Sequence, residues 1–132
     1  MKLNIECKIL IADGEAKTIE AIKDICNREG LAHILHARTA DIAVAMVWQK
    51  KPDIIISDTN LLDLTGWDVL GILKKNKLTR SIPFIIIDDK SNSHENELKA
   101  FFLGADDYII KPFRPEVLFA RMKAVLKRSF DK

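Results

Sequence analysis

The stretch that decides the fold is Pro52-Asp53-Ile54-Ile55-Ile56-Ser57-Asp58-Thr59-Asn60. Three consecutive isoleucines follow a Pro-Asp turn and lead directly into a serine and an aspartate. An unbroken β-branched run is typical of a strand buried on both faces, as in a parallel sheet covered by helices. Such a strand carries Asp58 to the carboxyl edge of the sheet, where ligands bind in open α/β folds. Asp58 is therefore a candidate reactive carboxylate, although aspartate is also a common turn residue.

Strand-like apolar runs and amphipathic helical segments alternate along the rest of the chain. Further strand candidates begin at Lys8, Leu31, Ile82 and Asp107, and each is followed by apolar residues at helical spacing. Strict alternation predicts right-handed crossovers and a parallel sheet. We therefore predict an α/β fold with a doubly wound five-stranded parallel sheet, order 2-1-3-4-5, and helices on both faces.

Composition and charge limit the classes of protein that need to be considered. The 132 residues suit one domain, with a core over residues 8–128 and residues 129–132 as a tail or the start of a linker. Lys and Arg number 21 against 19 acidic residues, a balance that does not favour nucleic-acid or membrane binding. Two separated cysteines without a Cys-x-x-Cys motif, and the lack of a signal-peptide pattern, favour a cytoplasmic protein with free thiols.

Charged side chains follow several of the predicted strands. Asp13, Asp58, Asp88 and Lys111 stand where the first, third, fourth and fifth strands end. Neighbouring carboxylates raise one another's pKa, and a lysine or a hard cation such as Mg²⁺ offsets this effect. A nucleophilic aspartate beside a lysine and a metal suits phosphoryl transfer through an acyl phosphate. The bland alternative for Lys111 is a surface lysine before a turn.

Five segments in order carry a resemblance that covers about residues 8–128. They are Lys-Ile-Leu-Ile-Ala-Asp at 8–13, Pro-Asp-Ile-Ile-Ile-Ser-Asp at 52–58, Ile-Pro-Phe-Ile-Ile-Ile at 82–87, Gly-Ala-Asp-Asp-Tyr-Ile at 104–109 and Lys-Pro-Phe at 111–113. Together they resemble the receiver domain of two-component response regulators. The resemblance implies a flavodoxin-like (βα)5 fold and a signalling module, not an enzyme beyond self-phosphorylation and dephosphorylation.

The resemblance also implies roles for individual residues. Asp58 falls on the phosphoacceptor position, charged from a phosphohistidine, and Lys111 falls on the lysine that contacts the phosphate. Mg²⁺ would be held by Asp13, Asp58 and the backbone carbonyl of Asn60. Tyr108 falls on the aromatic switch, whose ring turns inward on phosphorylation.

Two positions depart from the receiver pattern. Gly14 follows Asp13 where receivers usually have a second acid, which weakens or abolishes the expected Mg²⁺ binding. Asp88 stands where a Thr or Ser usually donates to the phosphoryl group, and an ionised carboxylate cannot donate. Two hypotheses follow: Asp58 is still phosphorylated, or Asp88 pairs with Lys111 and the chain is a phosphorylation-independent docking module.

The resemblance implies partners as well. We expect a sensor histidine kinase or phosphotransfer protein as the phosphoryl donor, and a homodimer or partner face on the fourth helix, fifth strand and fifth helix. Exposure of Phe101 or Phe102 beside Tyr108 would favour that face. A C-terminal output domain outside this chain is left open. We expect neither membrane contact nor direct nucleic-acid binding by this domain.

Two other classes fit the sequence less well. Phosphotransferases of the haloacid-dehalogenase kind usually show Asp-x-Asp, whereas this chain has Asp58-Thr59-Asn60. A flavodoxin-like cofactor binder needs a phosphate loop rich in Gly, Ser and Thr after the first strand. The segment Asp-Gly-Glu-Ala-Lys-Thr at 13–18 is acidic and has a single glycine.

Overall fold

Strands and helices alternate throughout the computed structural model, which describes residues 7–31, 33–91 and 93–130. The strands are β1 (Ile9–Ala12), β2 (Ile34–Ala37), β3 (Ile54–Asp58), β4 (Phe84–Asp88) and β5 (Asp107–Ile110). The helices are α1 (Ala16–Arg28), α2 (Ala40–Lys50), α3 (Gly66–Lys74), α4 (Ser93–Phe102) and α5 (Pro115–Phe130). All strand pairs are parallel and the order is β2-β1-β3-β4-β5, so the predicted fold is confirmed.

Local sequence signals set several of the helix ends. The Thr39 side chain accepts a hydrogen bond from the Ile42 N–H and caps α2. Thr65 and Asp68 form a capping box at the start of α3. Gly30 follows α1 with φ of +84°, a left-handed conformation that glycine adopts without steric cost. These caps fix where the chain leaves the sheet edge and re-enters a helix.

Both faces of the sheet are covered, which explains the unbroken apolar run of β3. Ile54 and Ile56 lie in the core layer formed with α1 and α5. Ile55 lies in the second layer, formed with α2, α3 and α4. Successive strand residues point to opposite faces, so residue parity decides which helices a side chain meets. The same rule governs the polar residues at the strand ends.

The fourth strand differs from the expectation in its bounds. The sequence places it over Ile82–Ile87, and the structure has β4 from Phe84 to Asp88. Pro83 lacks an N–H and lies before the strand. Asp88 is therefore a residue of the sheet itself, and it is buried.

Within the described part of the chain, none of the helices has the length and apolar character that a bilayer crossing requires.

Candidate functional site

The carboxyl edge of the sheet gathers the charged residues, but it divides them between two faces. Ile11, Ile56 and Ile109 all belong to the layer under α1 and α5. Asp13, Asp58 and Lys111 each lie two residues after one of these isoleucines. They therefore share that face, and the structure brings them together.

Lys111 connects the acidic groups of this face. Its ammonium forms an ion pair with Asp58 Oδ2, and it lies 3.9 Å from Asp13 Oδ2 and 3.8 Å from Glu15 Oε1. Burial lowers the pKa of Lys111, but the hydrogen bond to Asp58 and the charges of the acids outweigh it, so the pKa stands above its ordinary value. Lys111 is therefore a cation held among Asp13, Glu15 and Asp58, not a free surface lysine.

Asp13 and Asp58 are buried and only partly satisfied. Asp13 is 1% exposed and Asp58 3%. In each, Oδ1 accepts a backbone N–H two residues on: Glu15 to Asp13 at 2.8 Å and Asn60 to Asp58 at 2.7 Å. Among the described residues no donor hydrogen-bonds Asp13 Oδ2, and Asp58 Oδ2 has only its ion pair.

Incomplete satisfaction changes the acidity of Asp13. Burial raises its pKa from 3.8 to about 6; the Glu15 N–H opposes the rise, and the charge of Asp58 adds to it. A carboxylate that is buried, lacks donors and repels its neighbour gains most from an added cation. The pair of acids thus has the electrostatic character of a ligand site.

The loop after β1 contacts the loop after β3 through Gly14. The Gly14 N–H donates to the Asn60 carbonyl at 3.2 Å. A Cβ at position 14 would lie 3.2 Å from that oxygen and 3.4 Å from Leu62 Cδ2, so a larger residue requires a small shift of its neighbours. The Gly14 carbonyl accepts two hydrogen bonds from Arg38, 3.1 Å from Nε and 2.7 Å from Nη2.

The donor set suits a hard cation with few protein ligands. Asp13, Asp58 and the Asn60 carbonyl supply oxygen atoms, the ligand type that Mg²⁺ prefers. In residues 7–31, 33–91 and 93–130, no group of three or more His, Cys, Asp or Glu side chains is arranged to hold a metal. Mg²⁺ commonly retains several waters, so two carboxylates and a carbonyl are enough protein ligands for it.

Asp88 occupies the opposite face and has a complete set of donors. Its Oδ1 accepts from Thr59 Oγ1 at 3.0 Å and from the Asp89 N–H at 2.9 Å. Its Oδ2 accepts from Asn96 Nδ2 at 2.8 Å and from the Tyr108 hydroxyl at 2.5 Å. One carboxylate therefore connects the loop after β3, the first turns of α4, and β5.

Tyr108 is buried with its hydroxyl on Asp88. Burial and this hydrogen bond raise the pKa of the phenol above its ordinary value. The ion pair between Asp88 and Lys111, proposed in the second of the two hypotheses, is wrong: among the described residues, Lys111 pairs with Asp13, Glu15 and Asp58. Strand parity gives the reason, because Asp88 lies two residues after Ile86 and so shares its face, the one covered by α2, α3 and α4.

Sequence reasoning missed three residues of this edge. Thr59 and Asn96 bind Asp88, and Arg38 binds the Gly14 carbonyl. Strand parity could have predicted Thr59, because Asp58 pairs with Ile87 and the same register carried one residue further sets Thr59 opposite Asp88. Nothing in the sequence spacing indicates Asn96 or Arg38, since each meets its partner through tertiary contact only.

An apolar surface lies beside the Asp88 network. Both phenylalanines of α4 are exposed, Phe102 at 94% and Phe101 at 48%. We call the exposed apolar residues of this region the α4–β5 apolar face: Leu98, Phe101, Phe102, Leu103 and Ile110. In α4 only Ala100 is buried among the residues whose side chains are described.

Comparisons with known proteins identify the family of this chain. Residues 9–123 match the family model described as the response regulator receiver domain. The chain is 39% identical over 121 residues to the phosphate regulon transcriptional regulatory protein PhoB of Pseudomonas aeruginosa, covering 92% of this chain and 52% of the relative. It is 34% identical over 123 residues to the transcriptional regulatory protein YvrH of Bacillus subtilis, covering 93% and 50%.

A solved structure gives the same result for the fold. The signal receiver domain of a signal transduction histidine kinase from Syntrophus aciditrophicus superimposes with a TM-score of 0.82 and 30% identity, covering 91% of this chain and 89% of that chain. The chain spans about half the length of the curated relatives quoted above.

Proposed function

Because this chain belongs to the response regulator receiver family of two-component systems, we propose that its Asp58 accepts a phosphoryl group from a phosphohistidine. One observation carries the proposal. Asp58 is a buried carboxylate at the mouth of the sheet, and among residues 7–31, 33–91 and 93–130 its Oδ2 contacts only the Lys111 ammonium. The second acid, Asp13, adds negative charge and an oxygen, Oδ2, that accepts no hydrogen bond from the described residues.

The residues divide the chemistry of the transfer. Asp58 Oδ2 attacks the phosphorus, the new O–P bond forms as the N–P bond to the donor imidazole breaks, and the imidazole leaves with the bond's electron pair. Lys111, freed from its ion pair with Asp58, neutralises a phosphoryl oxygen. The Asn60 N–H on Oδ1 holds the carboxylate in one orientation. Any activity beyond this is self-phosphorylation and dephosphorylation at the same aspartate.

Mg²⁺ is the cofactor that we propose for this site. Asp13, Asp58 and the Asn60 carbonyl would hold it, and once bound it supplies positive charge to the phosphoryl oxygens. Gly14 removes one carboxylate that receivers usually offer, so we propose weaker binding than in a site with two adjacent acids.

The proposed phosphoryl donor is a sensor histidine kinase or a phosphotransfer protein. A cleft of about 520 Å³ opens beside Lys111, with Glu15, Lys17 and Phe113 among its lining residues. We propose that a partner's histidine approaches Asp58 from the side of this cleft, past Lys111. We place the reaction in the cytoplasm, consistent with the free thiols of Cys7 and Cys26.

Output requires further surfaces or chain. Because the relatives are about twice as long, we propose that this receiver domain, residues 1–132, acts with a C-terminal output domain. The α4–β5 apolar face, together with α5, is the proposed homodimer or partner surface. A balanced net charge of +2 gives no reason to assign nucleic-acid binding to this domain.

Intact-mass measurement after incubation with Mg²⁺ and a small acyl phosphate tests the central proposal. Wild type should gain one phosphoryl group that is lost in base. Asp58→Asn should gain none, whereas Asp89→Asn, a change at an exposed acid of the same edge, should behave as wild type. Phosphorylation that persists in Asp58→Asn would reject Asp58 as the acceptor.

A phosphorylation-independent docking module is the second candidate. Gly14 in place of an acid favours it, as does Asp88, which holds the neighbouring face together without any contribution from Asp58. The same mass measurement separates the candidates, since a docking module takes up no phosphoryl group on Asp58 at millimolar Mg²⁺.

A further inference from the structure

We propose that Asp88 is a positioning residue that holds Tyr108 and α4 in one arrangement whatever the charge on Asp58, so that the α4–β5 apolar face is assembled permanently. The consequence for signalling rests on the proposed function, because it concerns what phosphorylation of Asp58 does to this face. The structural part of the proposal, the fixed arrangement itself, does not depend on phosphorylation.

The first support is the number and origin of the donors. Thr59 reaches Asp88 from the loop after β3, Asn96 from α4 and Tyr108 from β5. Together with the Asp89 N–H they supply four hydrogen bonds to one buried carboxylate. Each carboxylate oxygen of Asp88 accepts two hydrogen bonds, so both oxygens are fully satisfied within the fold.

The second support is the direction in which charge acts. A hydroxyl at this position would be attracted to a phosphoryl group, because it can donate a hydrogen bond. An ionised Asp88 cannot donate, and a phosphoryl group with nearly two negative charges repels it. Phosphorylation of Asp58 therefore drives the Asp88 carboxylate toward its present donors and away from the phosphoacceptor.

The third support is strand parity. Asp58 pairs in register with Ile87, so its side chain and that of Asp88 lie on opposite faces of the sheet. Thr59, the residue next to Asp58, shares the face of Asp88 and is already bound to it. A change on the Asp58 carboxylate thus meets no bistable contact through which Tyr108 could be released.

These contacts end at the surface that a partner would meet. Asn96 lies on α4 two residues before Leu98, and Tyr108 lies on β5 two residues before Ile110. Both Leu98 and Ile110 belong to the α4–β5 apolar face. Fixing Asn96 and Tyr108 on one carboxylate therefore sets the relative placement of the two elements that form this face.

The chain offers a clean spectroscopic test, because Tyr108 is its single tyrosine. Selective ¹³C labelling of tyrosine gives one ring spectrum, and ¹⁵N amide shifts at Asp58 and Asn60 report separately on the phosphoacceptor. Spectra are recorded with and without Mg²⁺ and beryllofluoride, a phosphoryl mimic. The variants are Asp88→Thr and its exposed neighbour control Asp89→Thr.

In wild type and Asp89→Thr we expect beryllofluoride to shift the Asp58 and Asn60 amides and leave the Tyr108 ring unchanged. In Asp88→Thr the ring should shift together with the amides, which a merely structural role for Asp88 would not produce. A wild-type ring that moves on beryllofluoride binding would overturn the inference, and this comparison needs no variant to fold.

Failure of the proposed function has a different appearance. If beryllofluoride shifts no amide signal in wild type, Asp58 is not a working acceptor. The exposure of the Tyr108 ring is then compared among wild type and the variants without beryllofluoride, from the line broadening that a soluble paramagnetic agent causes. A ring protected in wild type and Asp89→Thr but exposed in Asp88→Thr supports the fixed arrangement. Asn96→Ala, a smaller change at the same carboxylate, repeats the comparison if Asp88→Thr does not fold. A ring equally protected in every variant, or equally exposed, overturns it.

Discussion

Two buried carboxylate sites lie on neighbouring strands of one sheet edge, and their hydrogen bonding differs. At the end of β4, Asp88 receives four donors and needs no cation. At the ends of β1 and β3, among the described residues, Asp58 Oδ2 contacts Lys111 alone and Asp13 Oδ2 accepts no hydrogen bond. Buried polar groups in native proteins are normally satisfied. The difference therefore separates a carboxylate that joins elements of the fold from two whose polar contacts are fewer.

The largest difference between the two sites should appear when the carboxylate of Asp88 or of Asp58 is removed. Asp88→Ala should lower the free energy of unfolding by about 4 kcal/mol, because Thr59, Asn96 and Tyr108 lose their common acceptor and unsatisfied buried donors cost about 1–3 kcal/mol each. The matched change Asp58→Ala should cost about 1 kcal/mol or less, since it also relieves repulsion with Asp13. Urea unfolding measures both, and equal losses would contradict the contrast.

The raised pKa of Asp13 should make the free energy of unfolding depend on pH. The pKa of Asp13 in the folded chain is about 6 against an ordinary 3.8. The folded state therefore binds more protons than the unfolded state between these values, and stability falls as pH rises through about 6. The shift corresponds to about 3 kcal/mol, which is lost between about pH 4 and pH 7.

Unfolding in urea across this range, with a chelator to remove metal ions, measures that loss. Asp13→Asn should abolish it, whereas Asp89→Asn should keep it. If the stability of wild type and that of Asp13→Asn changed by the same amount between pH 5 and pH 7, the raised pKa of Asp13 would be contradicted.

Binding of a divalent cation at Asp13 and Asp58 should give the smallest change in stability. Mg²⁺ at ten times its dissociation constant should stabilise wild type by about 1.4 kcal/mol through mass action. Asp13→Asn should lose most of this gain, because the cation then lacks one of its two carboxylates. Thermal unfolding with and without Mg²⁺ measures the effect. A gain of the same size in Asp13→Asn would place the cation elsewhere.

The sequence predicts one half of this edge much better than the other. Apolar runs that alternate with helical patterns predict the five strands. The receiver resemblance identifies Asp13, Asp58 and Lys111 as neighbours. Those three lie at strand ends and on one face of the sheet, so topology and strand parity together bring them close. Asp88 also lies at a strand end, yet its expected partner Lys111 is wrong, because strand parity directs the two side chains to different faces.

The sequence by itself therefore determined the α/β fold, the strand order by analogy with its size class, and the position of the phosphoacceptor candidate. Periodicity and strand ends are local properties, and they require no knowledge of distant contacts. Only the tertiary structure decided what surrounds each carboxylate. Strand parity accounts for Thr59, but Asn96 and Tyr108 come from α4 and β5 and reach Asp88 through packing, which no spacing along the chain encodes.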